Sequence, residues 1–76
     1  MFVFCDMNKE LKAFLKQTGA TIRTARMDHK LSQEELAVIT EMSRSAISEI
    51  EHGAPITLTT LFRLLKPLSL ELDIHA

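Results

Sequence analysis

Apolar and polar positions follow two rhythms along this chain. In "NKELKAFLKQTGATIRTARMDH", Leu11, Phe14, Leu15, Ile22 and Ala25, with Thr18 between, recur at steps of three and four, the stripe of an amphipathic helix. Gly19 weakens that stretch. It reads either as one helix with a soft point or as a short leading helix followed by a second beginning near Thr18. In "LSQEELAVIT", Ser32 can cap a helix while Glu35, three residues on, reaches back to complete a capping box, which predicts a short helix over roughly Gln33 to Ile39. Ser43 is the next cap candidate and opens "SRSAISEIEHG", where Gly53 supplies a left-handed stop. Two short helices joined by three or four residues make a helix-turn-helix unit. A further helix carries Leu58, Leu61, Phe62, Leu64 and Leu65, capped by Thr57 or Thr59, and Pro67 is expected to end it.

The rhythm then changes to a period of two. In "PLSLELDIHA", Leu68, Leu70, Leu72 and Ile74 alternate with Ser69, Glu71 and Asp73, which predicts a strand with one apolar face. A lone strand leaves backbone donors and acceptors unpaired and an apolar face uncovered. Pairing with its own copy about a twofold axis would answer both needs.

The chain has 76 residues, enough for one small domain. A domain of that size hides only about 60% of the surface its unfolded chain exposes, so outside help matters. Cys5 is the one cysteine and cannot form an internal disulfide, which fits a reducing compartment. His29, His52 and His75 are far apart, and no close Cys/His pair is present to organise a metal, so no metal site is expected. A partner chain is the remaining source of stability. The opening "MFVFCDMNKE" is apolar for only five residues and meets Asp6 at once, so it is expected to be neither signal peptide nor membrane span, with a cytoplasmic location as the default. These residues are either a short ordered arm or precede a start at Met7.

Formal net charge is −1, which at face value argues against a nucleic-acid binder. The distribution changes that reading. Residues 1 to 30 carry six basic and three acidic side chains, residues 31 to 55 carry one and five, and the remainder two of each. Phosphate attraction must then be local, with a modest salt dependence for one subunit. On the third helix, Ala46, Ile47 and Ile50 fall on one side, and Arg44, Ser45, Ser48, Glu49 and His52 on the other. Such a face is either solvated or suited to a DNA major groove, where Arg44 can bind guanine bidentately and Glu49 can accept from a cytosine amine.

"LSQEELAVITEMSRSAISEIEHG" resembles the Cro and phage-repressor helix-turn-helix, or xenobiotic-response-element, family. Leu31, Ser32, Gln33, Leu36, Ala37, Ser43, Ile47, Ser48, Ile50, Glu51 and Gly53 carry the match, with Ile22, Arg23 and Arg26 upstream. The resemblance implies an all-α, about five-helix, lambda-repressor-like domain. It implies that Gln33 holds a phosphate and braces the recognition helix, that Arg44, Ser45, Ser48 and Glu49 face base edges beside Ser43, and that His52 either touches a phosphate or is solvated. Arg26 and Glu51 would form a structural ion pair. Glu41 and Lys30 depart from the family by standing where it favours glycine, which costs about 1 kcal/mol or more at Glu41 if the left-handed turn is kept. Val38 should be an exposed apolar residue.

The tail "ITLTTLFRLLKPLSLELDI" looks like that of HipB-type antitoxins, on Thr57, Leu58, Thr59, Thr60, Phe62 and Leu65. In that group the C-terminal strand pairs across a homodimer, and the dimer represses its own operon and binds a HipA-type kinase toxin. The expectation is thus one domain over residues 1 to 76: an arm and leading helix over 1 to 17, a helix-turn-helix domain over 18 to 67, and a C-terminal β-strand over 68 to 76. Leu68, Leu70, Leu72 and Ile74 would mediate dimerisation. The expected function is a DNA-binding repressor of a palindromic operator and antitoxin of a HipA-like kinase, with no cofactor and no catalysis. The alternatives are a stand-alone phage-type repressor and a protein-interaction module with weak DNA binding.

Overall fold

The computed structural model describes residues 4 to 72, with side chains from residue 8 onward. Its first helix, α1, runs unbroken over Phe4–Asp28. At 25 residues it is about 37 Å long, so it accounts for most of the 46 Å long dimension of the molecule. The helix passes straight through Gly19, and the reason is packing. A β-carbon there would collide with the carbonyl of Ile50 and sit 2.9 Å from that of Glu51. Gly19 is therefore a point of close approach and not a break, and the described residues hold four helices where about five were expected.

The remaining helices are short: α2 over Gln33–Thr40, α3 over Arg44–Glu51 and α4 over Leu58–Leu65. Each begins on a hydroxyl. Ser32 Oγ accepts from the Glu35 amide at 3.0 Å, and the Glu35 carboxylate accepts from the Ser32 amide at 2.8 Å, completing the expected box. Ser43 Oγ accepts from the Ala46 amide, and Thr57, not Thr59, accepts from that of Thr60.

All four helices end the same way. Leu31, Met42, Ala54 and Leu70 each donate a backbone N–H to the carbonyl five residues back, while the residue before each donates to the carbonyl three residues back. This paired closure requires a left-handed residue, here Lys30 at φ 57°, Glu41 at 59°, Gly53 at 98° and Ser69 at 55°. The turn at Glu41 is thus kept, not reshaped, although the residue carries a β-carbon.

The core is a cluster of Ile22, Ala25, Leu36, Ala37, Ile47, Ile50, Leu64 and Leu68, with Leu31, Met42, Ile56, Leu61 and Leu70 packed around it. Fully burying Ile22, Leu36, Ile47, Leu64 and Leu68 contributes about 1.5 to 3 kcal/mol each. Thr40, also buried, donates its hydroxyl to the Leu36 carbonyl at 2.7 Å, so no polar group is stranded by its position at the end of α2.

The tail departs from expectation. Lys66 keeps right-handed helical angles despite the following Pro67, residues 66 to 69 form a turn, and Ser69 closes it in the left-handed region. A strand therefore does not begin at Leu68 or Ser69, and no strand is present among the described residues. Leu68 was expected on a dimer seam and is instead 1% exposed in the subunit's own core. The physical reason is that an apolar period of two also arises when a helical turn buries one leucine and releases the next. Leu70 packs partly on the same core and Leu72 is exposed, while Ile74 lies outside the described residues. No described helix is long and apolar enough to cross a membrane.

Candidate nucleic-acid interface

The unit α2, turn and α3 is held by one polar clamp. Arg26 Nε donates to Glu51 Oε2 at 2.7 Å and Nη2 to Oε1 at 3.2 Å, while Nη1 donates to the Leu31 carbonyl at 2.8 Å. Gln33 Nε2 donates to the same Glu51 Oε1 at 3.1 Å. The Glu51 side chain is 2% exposed and that of Arg26 12%, so the pair is desolvated, bidentate and hydrogen-bonded at its edges, the geometry in which a buried pair holds its partners. This clamp joins α1, the loop after it, the start of α2 and the end of α3. It fixes the angle at which α3 is presented.

The Arg26–Glu51 pair is the one the family resemblance implied. Gln33 is found in a fuller structural role: it braces the end of α3 through Glu51, with its amide half-buried. Gln33 begins α2 directly beside Leu31, whose carbonyl Arg26 grips. Ala37 is 6% exposed, small because α2 and α3 meet closely there.

On the outer side of α3, Arg44, Ser45, Ser48 and Glu49 line one shallow depression together with Gln33. Arg44, Ser45 and Glu49 are exposed and make no side-chain hydrogen bond among the described residues, so their donors and acceptors point to solvent. Ile47 and Ile50 hold the opposite side in the core. The expected division of this helix into apolar and polar sides is the observed one.

Ser43 and His52 sit at the two ends of α3. Ser43 Oγ serves as the N-cap acceptor and keeps its own proton to donate. His52 caps the other end, with Nδ1 2.7 Å from the Ser48 carbonyl. A carbonyl only accepts, so Nδ1 carries the proton of this contact, and Nε2 takes no part in it. Val38 is 79% exposed on α2, as its spacing from Leu36 predicts.

The sequence profile of the helix-turn-helix family matches residues 22 to 74. Among solved structures, the chain is similar to the restriction-modification controller protein C.AhdI from Aeromonas hydrophila, with 32% sequence identity and a TM-score of 0.73 over 78% of this chain and 91% of that one. No curated protein matches the chain. With the profile spanning α2, the turn, α3 and α4, and the fold agreeing with a solved relative over nearly all its length, the chain belongs to the helix-turn-helix family of the Cro/C1 type.

Proposed function

We propose that this protein is a sequence-specific DNA-binding transcription regulator that acts in the cytoplasm as a homodimer on a palindromic operator. The observation that carries this reading is the polar side of α3: Arg44, Ser45, Ser48 and Glu49 sit together on a helix held rigidly by the Arg26–Glu51–Gln33 clamp. A rigid helix with short polar and forked side chains outward fits a major groove. Arg44 takes guanine O6 and N7, Glu49 accepts from a cytosine amine, and the serines accept or donate at neighbouring edges. The N-terminal amides of α2 and the second N–H of the Gln33 amide meet a backbone phosphate.

Dimerisation is supported by what α4 and the tail leave uncovered. Leu58 is 71% exposed, Phe62 73% and Leu72 50%, a large apolar surface for so small a domain. A twofold copy on that surface would cover it and set two α3 helices one DNA turn, about 34 Å, or a multiple apart.

The likeness to C.AhdI, a restriction-modification controller protein, supports reading this chain as the controller of a restriction-modification gene pair. A second reading, antitoxin of a HipA-like kinase, is favoured by the sequence of "ITLTTLFRLLKPLSLELDI". The adjacent gene decides between them: a methyltransferase or endonuclease supports the first and a kinase the second.

The DNA reading is tested by selecting duplexes from a random library with the full chain, then measuring affinity by mobility shift. Arg44→Ala should keep the fold and cost about 1 to 3 kcal/mol at one base position of each half-site. An Arg44→Ala variant that binds the selected site at wild-type strength and still discriminates as well against scrambled duplex would sink the assignment of α3.

A further inference from the structure

Beside its apolar stripe, α1 carries another pattern: Lys9, Lys12, Lys16, Gly19, Arg23 and Arg26 recur at steps of three and four and so share one side of the helix. The downstream members show which side this is. Gly19 lies against the carbonyls of Ile50 and Glu51, and Arg26 grips the Glu51 carboxylate, both at the C-terminal end of α3. Lys16 passes the turn that follows, where a β-carbon on Gly53 would come 3.0 Å from Lys16 Cγ. The side of α1 that seats α3 therefore continues upstream as Lys9, Lys12 and Lys16, all exposed, along the half of α1 that precedes Gly19.

Charge and family coverage single out the same segment. The first thirty residues hold six of the nine basic side chains, and the rest of the chain holds three basic against seven acidic. Glu10, the acidic residue among positions 8 to 17, falls about 100° around the helix from Lys9. The family profile begins at Ile22, so these three lysines lie upstream of the pattern the family shares.

We propose that Lys9, Lys12 and Lys16 form a second DNA contact, a basic track that holds backbone phosphates flanking the bases met by α3. This rests on the DNA-binding reading above. Lysine is a point charge on a flexible stem and suits phosphate positioning without base selection. Its contribution comes from counterion release, which lifts affinity for any sequence and falls with salt. The track answers a weakness of α3, whose outer side offers one cation, Arg44, against one anion, Glu49. Leu11 and Phe14 are exposed on the same half of α1, so an anionic bilayer is the rival occupant. DNA is favoured because the lysines share their side with the seat of α3.

The test uses the full chain, the duplexes it selects and a potassium chloride titration. In the triple variant K9Q/K12Q/K16Q the slope of log affinity against log salt should fall by about 2.7 per subunit, with affinity near 100 mM salt reduced about tenfold or more and the preferred sequence unchanged. K9R/K12R/K16R should restore the slope. Circular dichroism should show the same helix content in all three proteins. An unchanged slope in a triple variant that still selects the same sequence overturns the track alone, whereas a wild-type chain that selects no sequence overturns the DNA reading itself. Wild-type binding to phosphatidylserine vesicles that the glutamine variant loses, with the DNA slope unchanged, assigns the lysines to a membrane surface and also overturns the track.

Discussion

Helices α3 and α4 are both eight residues long, both start on a hydroxyl cap and both bury an apolar side in the same core, yet they turn opposite chemistry outward. α3 shows Arg44, Ser45 and Glu49 to solvent, whereas α4 shows Leu58 and Phe62. A short helix with one polar side is complete in a monomer; one that also turns large apolar side chains outward, beside Thr59 and Arg63, is not. The difference teaches how a domain this small divides its labour. On the function proposed above, one helix is finished so that it can meet nucleic acid, and the other is left unfinished so that it can meet a second copy of the chain.

The largest effect should come from unseating α3. Glu51→Ala leaves the Arg26 guanidinium desolvated without its carboxylate and strands the Gln33 amide, a loss of about 3 to 5 kcal/mol in urea unfolding. Against a total stability of about 5 to 15 kcal/mol this threatens the fold. A loss under about 1 kcal/mol would mean that the apolar side of α3 holds it unaided, and the clamp would be incidental to its aim.

The next effect concerns α4. Leu58→Asp with Phe62→Asp changes exposed positions, so the subunit's own unfolding free energy should move by no more than about 0.5 kcal/mol per site. Sedimentation equilibrium should nonetheless give monomers, and affinity for a two-half-site duplex should drop about a hundredfold or more once the two subunits no longer bind as one. A variant that stays dimeric would move the interface away from α4 and remove the contrast with α3.

The helix-turn-helix unit was legible because its signals are local. Ser32 with Glu35, Ser43, and the Ile47 and Ile50 spacing each report on one turn of chain, and the structure forms each locally. Arg26 with Glu51 is a contact 25 residues apart and was legible only through the family resemblance. What escaped was tertiary. Gly19 reads as a helix weakener until the carbonyls of α3 are beside it. Leu68 reads as strand because alternation cannot distinguish a strand from a helical turn closed by a left-handed residue, and Ser69 is not a residue that announces one. The bracing role of Gln33 came with the family resemblance, but the atom it braces through, the Glu51 carboxylate 18 residues on, is visible only in the fold.

The smallest effect tests the ends of the two helices. α3 closes on Gly53 and α4 on Ser69 with the same pair of backbone bonds, so one architecture is finished by two residue types. A β-carbon at φ 55° costs about 1 to 2 kcal/mol against right-handed angles, while glycine gives back about 0.5 to 1 kcal/mol through the entropy of its unfolded state. Ser69→Gly should therefore stabilise by roughly 0.5 kcal/mol, little offset by losing the long 3.4 Å contact between Ser69 Oγ and His29 Nε2. Gly53→Ala should destabilise by about 1 kcal/mol, since its β-carbon adds the left-handed strain and meets Lys16 Cγ at 3.0 Å. Both changes are read as midpoint shifts at constant slope in urea. Opposite signs confirm that the two helices share one closure. A destabilising Ser69→Gly would mean that the serine hydroxyl holds the turn before the tail, and that α4 is finished by side-chain chemistry and not by backbone geometry.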